Sequence, residues 1–177
     1  MSVRLREKAV AEKVILLTDS HVTYLREQKK FPLTKEENVR LDYFLHLRYV
    51  KSFPDEHIFV EFPMRVGTTT LRADIVVLSA QEFPPYFAVI ECKRPFLSAS
   101  DWEKALEQAK SYEKQLNAQF IAVTDGSKHF CFEVVYHAKQ KKYKEIHALP
   151  AAKTSFLFWW QIKKRWFRYK KMLTKNA

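Results

Sequence analysis

Apolar residues recur at helical spacing in several parts of this chain, and between them they form short strand-like runs. Val39, Leu41, Phe44, Leu45 and Leu47 give one helix a broad apolar side. Phe31-Pro32 breaks the chain just before it, and Thr34 followed three residues later by Glu37 is a capping-box start. Ahead of that break a helical stretch is expected over about residues 3–25. Trp102, Ala105, Leu106, Ala109, Tyr112 and Leu116 mark another helix, with Ser100 and Glu103 read as its capping box. Between the helices, residues 57–66 and 70–78 read as strands joined at Gly67, and a Pro-containing turn over 81–85 leads to a third strand over 86–93. Residues 119–124 and 130–136 form two more, separated by Asp125-Gly126. Near the end, Trp159, Ile162, Trp166, Tyr169 and Leu173 follow one another at spacings of three and four, an amphipathic stripe. The order of elements predicts an α/β fold with a mixed central sheet flanked by helices and an added C-terminal helix.

Composition narrows this picture. A chain of 177 residues, 47% hydrophobic and 15% aromatic, is long enough to bury one core. We expect a helical extension over 1–30, one domain over 31–150 and a basic aromatic tail over 151–177. The net charge of +11 is concentrated in that tail, where eight basic residues after position 150 meet no acid, leaving 23 basic against 20 acidic residues before it. A polyanionic partner follows from such a distribution. With only Gly67 and Gly126, the chain has no Walker A loop or dinucleotide fingerprint, so any NTP-driven motor is expected to be another protein. Cys92 and Cys131 lie in strand-like runs without metal-ligand spacing, which argues against a zinc site. The first residues are interrupted by charges where a signal peptide needs an apolar run, and a cytoplasmic location is expected.

One apolar run carries charge that it should not tolerate. In Ala88-Val89-Ile90-Glu91-Cys92-Lys93-Arg94-Pro95, strand alternation sends Glu91 and Lys93 to one face and Ile90 and Cys92 to the other. Asp74 is the only acid of its own strand. A hairpin that pairs Asp74 with Glu91 centres its turn between Glu82 and Phe83, inside the Pro-containing turn. Opposed residues stand ~5 Å apart at Cβ, so two carboxylates and a lysine converge. Two carboxylates that close need a cation, and oxygen ligands select Mg2+ or Mn2+. Such an ion activates water and polarises a phosphodiester. The competing reading is a surface salt bridge of little energetic weight.

Five motifs, in order, carry a resemblance that bears on this choice. They are Leu33-Thr34-Lys35-Glu36-Glu37-Asn38-Val39-Arg40, Arg72-Ala73-Asp74-Ile75-Val76-Val77, Val89-Ile90-Glu91-Cys92-Lys93-Arg94-Pro95, Gln108-Ala109-Lys110-Ser111-Tyr112 and Val123-Thr124-Asp125-Gly126. Together they resemble the PD-(D/E)XK nuclease superfamily and, more narrowly, the N-terminal nuclease domain of type I restriction enzyme R subunits in a short stand-alone form. Lys35 and Ala73 stand where the family motifs have proline. The resemblance implies a restriction-endonuclease-like core and an Mg2+-dependent endodeoxyribonuclease, with Mn2+ as substitute ion. It implies Asp74 and Glu91 as metal ligands and Lys93 as the catalytic lysine. Gln108 and Tyr112 would support the site and contact DNA. A further acid from the early helix is implied near the metal, Glu37 or Glu36, of which Glu37 is preferred.

The implied partners are DNA and, because cleavage in full R subunits is tied to ATP-driven translocation, a motor or specificity protein. Cutting both strands of a duplex fits a homodimer. An alternative function is a DNA-binding accessory module whose nuclease site is idle or waits for a partner. In the tail, Lys163, Lys164, Arg165, Arg168, Lys170 and Lys171 are the candidate nucleic-acid contacts. The aromatic stripe beside them could stack on bases, but docking on the domain or on a partner copy is favoured, and attachment to a membrane surface ranks last.

Overall fold

The computed structural model describes residues 2–66, 68–79, 85–137 and 140–152. The expected C-terminal helix, with Lys163, Lys164, Arg165, Arg168, Lys170 and Lys171, lies outside these residues, as do the Gly67 turn and most of the 81–85 turn.

The first helix is shorter than its sequence suggests. Helix α1 runs Ser2–Ala11 and does not continue to residue 25. Lys13 adopts a left-handed conformation with φ +56°. The Val14 N–H donates to the Ala9 carbonyl and the Lys13 N–H to that of Val10, which is the Schellman closure of a helix C-terminus. Lysine stands where glycine usually makes this turn, so the stop carries no glycine signal. Three short antiparallel strands follow instead, β1 (Ile15–Leu17), β2 (His21–Tyr24) and β3 (Lys29–Pro32). Their Ile15, Val22 and Tyr24, with Val14 just before them, are buried in the same core as the residues of the next helix.

That helix, α2 (Lys35–Tyr49), starts at the expected cap, with the Glu37 N–H donating to the Thr34 hydroxyl. A 3-10 turn over Asp55–His57 leads into a six-stranded sheet: β4 (Ile58–Val66), β5 (Thr69–Leu78), β6 (Tyr86–Cys92), β7 (Phe120–Thr124), β8 (His129–His137) and β9 (Gln140–Ile146), in spatial order β4-β5-β6-β7-β8-β9. Only β6 and β7 are parallel, and helix α3 (Ala99–Leu116) makes the crossover between them. Its cap is Ser98, which accepts from the Asp101 N–H; the expected cap at Ser100 lies inside the helix. Ile75, Val77, Ile90 and Cys92 pack in the core with α2, while Val76 and Val89 pack with Tyr112 and Leu116 of α3. A mixed sheet with a helix on each face is the restriction-endonuclease-like core that the sequence led us to expect.

Both edges of the large sheet are protected. Along β4, Arg26 and Lys29 donate to the carbonyls of Ile58 and Val60, and Glu27 accepts the Val60 N–H at 3.0 Å, so the β2–β3 turn covers that edge. The other edge is β9, which the sequence reading missed because Gln-Lys-Lys-Tyr-Lys-Glu-Ile has neither an apolar run nor alternation. Lysines blunt this edge. It is latched to α3 by Glu113, which is fully buried and accepts from Lys141 Nζ at 2.7 Å and Tyr143 Oη at 2.9 Å. Glu113→Ala strips both donors of their partner and should cost about 1–3 kcal/mol. A lower urea midpoint with faster amide exchange in β9 is expected; an unchanged midpoint would show the latch to be idle.

Candidate active site

The site assembles at the middle of β5 and the C-terminal end of β6, with Arg40 of α2 and Gln108 of α3 reaching it. The β5–β6 ladder pairs Val76 with Val89 and ends at Ile75 with Ile90, the expected register, in which Asp74 and Glu91 are the next residues beyond the last pair. The main-chain N–H of Cys92 donates to Asp74 Oδ2 at 2.7 Å, so β6 orients the carboxylate of its neighbour. Cys92 itself is fully buried in the core. Just past the strand, Lys93 Nζ donates to Glu91 Oε1 at 2.6 Å and to Gln108 Oε1 at 3.2 Å. Gln108 Nε2 in turn donates to Tyr112 Oη at 2.7 Å. The four-residue spacing of Gln108 and Tyr112 places both on one side of α3, and the chain Tyr112–Gln108–Lys93–Glu91 is continuous.

Burial dominates the electrostatics here. Glu91 is 2% exposed. Desolvation, followed by the charge of Asp74, pushes its pKa from the ordinary 4.5 up to about 8, against the pull of Lys93. Burial also raises Asp74, beyond what Arg40, the Cys92 N–H and Lys93 offset. For Lys93 burial alone would lower the pKa, but Glu91 and Asp74 overcome it and raise the value, so the lysine stays cationic. Glu91 Oε2 is buried with no hydrogen-bond partner among the described residues.

A raised carboxyl pKa means that the folded state holds a proton the unfolded state has lost. The stabilising effect of Glu91 is therefore complete below pH 4.5 and fades as pH climbs through about 8. Buried His57, whose pKa is lowered by desolvation, works in the opposite sense. The difference between wild type and Glu91→Gln isolates the carboxyl group. In EDTA, the unfolding free energy of the wild type should fall relative to that of the variant between pH 5 and 8, at about 1 kcal/mol per pH unit. Parallel curves would refute the shift.

Glu37, the preferred third acid, does not join Asp74 and Glu91. It is 3% exposed and turned inward, where Tyr24 Oη donates to its Oε1 at 2.8 Å and Arg40 Nη1 lies 3.3 Å from its Oε2. Burial raises its pKa to about 6 despite Arg40 and Tyr24. One residue earlier on the helix, and so about a quarter-turn around it, half-buried Glu36 adds its charge to Asp74, Glu91 and Lys93, while Asp74 also acts on Glu37. A capping box ordinarily turns its third-position acid back to the cap N–H. Here the Thr34 N–H donates to the Pro32 carbonyl instead, leaving the Glu37 carboxylate to the interior.

Three further residues of the site escaped sequence reasoning. Arg40, 6% exposed, places Nη2 at 3.3 Å from Asp74 Oδ1 and Nη1 at 2.7 Å from Glu61 Oε1, with the Phe31 ring 5.3 Å from the guanidinium carbon. Glu61 lies across from Asp74 in β4, at a φ of +47° that strands rarely contain. Tyr24 enters from β2. The one available signal was an arginine among the buried positions of α2, a costly placement unless acids surround it.

Among the described residues no three Asp, Glu, His or Cys side chains form a ready-made metal cage. Mg2+, however, uses only one or two carboxylates and fills its shell with water and phosphate oxygens. The orphaned Glu91 Oε2 beside Asp74 fits that requirement. The family model described as the type I restriction enzyme R protein N terminus matches residues 35–150. The chain belongs to that family. No curated protein is significantly similar to it. The match runs from α2 to β9, so this R-protein N-terminal unit supplies every site residue named above except Tyr24. Membership gives the chain a restriction-enzyme-related role. Among the described residues no helix is long and apolar enough to cross a membrane.

Proposed function

We propose that the chain is an Mg2+-dependent endodeoxyribonuclease acting within a restriction system, with Mn2+ as substitute ion. The observation that carries this reading is a buried side chain, Glu91, with one oxygen bonded to Lys93 and the other without a partner among the described residues, one step beyond the last β5–β6 pair, where the charge of Asp74 acts on it. Asp74 and Glu91 would hold the ion, with Glu36 replacing Glu37 as the third, outer acid. Bound there, the ion supplies Lewis acidity toward a phosphodiester and a lowered pKa for coordinated water.

The protein's own groups do the rest. The Cys92 N–H and Arg40 fix Asp74. Lys93, with its raised pKa, is a proton donor and a positive charge rather than a base. Its role is to steady the charge that develops on the phosphoryl oxygens and to orient the attacking water. Gln108 and Tyr112 hold its ammonium in place. Lys35, Arg94 and Lys128 are exposed on the loops and helix start around this end of the sheet and offer contacts to phosphates. DNA is the proposed substrate, with a motor or specificity protein as working partner.

Plasmid and linear DNA incubated with the purified chain should be cut in Mg2+ or Mn2+ and remain intact in EDTA. DNA that is bound yet intact in both metals would overturn this reading and leave the accessory-module function in its place.

A further inference from the structure

We propose that Phe96 is a base-stacking residue at the mouth of this site, and that the substrate there presents an unpaired base. The proposal rests on the nuclease reading for its substrate class and on separate observations for its residue. Phe96 is 93% exposed, which leaves its ring without a place in any core. Its φ of +67° is a region that bulky residues rarely adopt. Solvent exposure and strain both disfavour phenylalanine at such a turn, where glycine or asparagine would fit at lower cost.

The turn is nevertheless firmly built. The Phe96 N–H donates to Asp125 Oδ2 at 3.3 Å. Asp125 is 2% exposed, and its other oxygen accepts from the N–H groups of Ser127 and Lys128 and from the Ser127 hydroxyl. Three residues upstream the Lys93 N–H donates to the Thr124 carbonyl. The segment is therefore pinned to β7 and its following turn at both ends, between the proposed catalytic lysine and α3. Gly126 closes the turn against α2, since a Cβ there would meet Val39 at 3.1 Å.

An aromatic face held out in water, two residues from exposed Arg94 and tied through Asp125 to the turn that carries exposed Lys128, has the composition of a nucleic-acid platform: cations for phosphates and a π-surface for a base. Paired bases within a duplex already have both faces covered by neighbours. Along a strand, only a single-stranded or flipped-out base can accept the ring. A substrate with a single-stranded segment or branch point next to the scissile phosphate meets that condition, whereas a continuous blunt duplex does not.

The test is a fluorescence-anisotropy titration in EDTA with a labelled single-stranded oligonucleotide and with the same sequence as a blunt duplex, at one salt concentration. Wild type should prefer the single strand. Phe96→Gly should lose about tenfold on the single strand and little on the duplex, and Phe96→Trp should retain the wild-type affinity. Because glycine suits the positive φ, Phe96→Gly should melt no lower than wild type. Equal single-strand affinity, an equal loss on the duplex, a lowered melting temperature or a changed sedimentation coefficient would each overturn the proposal, the last by pointing to a self-association face. Since no cleavage occurs in the titration, a chain that binds through Phe96 and never cuts would reject only the nuclease reading. A chain that cuts normally and ignores Phe96→Gly would reject only the stacking site.

Discussion

Lys93→Ala is expected to reduce metal-dependent DNA cleavage by about 10^3-fold, the scale of a lost electrostatic or proton-transfer group, while metal and DNA binding persist. Lys93 is partly exposed, but its Nζ pairs with Oε1 of buried Glu91. Its removal lowers stability by less than an uncompensated buried charge would, because Glu91, with its pKa raised to about 8, takes up a proton instead; Asp74 keeps the Cys92 N–H and Arg40. A loss of that size corresponds to about 4 kcal/mol of transition-state stabilisation. Truncating the lysine also removes a cation beside Glu91, so Mn2+ affinity measured by calorimetry should hold or rise. A rate loss without a loss of metal separates a catalytic lysine from a structural salt bridge. Gln108→Ala, which frees the ammonium and the Tyr112 hydroxyl, should lose about tenfold, as expected for a positioning residue. A Lys93→Ala protein that cuts at the wild-type rate would remove the chemistry proposed here.

The second large effect concerns stability. Arg40→Met keeps much of the side-chain volume and deletes the charge shared by Glu37, Glu61 and Asp74. Breaking a buried ion pair by removing one partner costs about 3–5 kcal/mol, a large part of the 5–15 kcal/mol available to a domain. The penalty should depend on pH in a definite direction. Glu37 already sits near 6 with Arg40 in place; without the guanidinium it is raised further, and the folded state binds protons that the unfolded state releases. The deficit is therefore largest at pH 8 and shrinks toward pH 5, where the carboxyl groups neutralise. Denaturant midpoints at the two pH values measure it. Arg40→Lys should fall between the two because an ammonium cannot reach three acids as a planar fork does. A midpoint difference of less than about 0.5 kcal/mol at pH 8 would show that the network is not sustained by Arg40.

Arg40 also explains how one side of Asp74 remains ordered. Its Nη1 approaches Glu61 and Glu37 as ion pairs, and its Nε is buried without a hydrogen-bond partner among the described residues, so charge rather than hydrogen-bond geometry holds the cluster together. Tyr24 extends the same cluster into the three-stranded N-terminal sheet. The stretch before residue 35 therefore contributes to the site from outside the family match.

Local chemistry was enough for much of this protein. The Thr34 cap, the apolar side of α2, the α3 stripe, the register that sets Asp74 against Glu91 and the burial of Cys92 all depend on residues near one another in the chain or across one hairpin, where spacing and alternation act directly. Tertiary structure decided what depends on long-range partners. Helix α1 ends at a left-handed lysine because the sheet that follows has a core to join. Strand β9 pairs with β8 despite its charges because Glu113 waits for Lys141 and Tyr143. The choice between Glu36 and Glu37 belongs to the same class. One residue along a helix is a rotation of about 100 degrees, and which carboxylate that rotation buries was settled by Tyr24 and Arg40, whose positions no local pattern specifies.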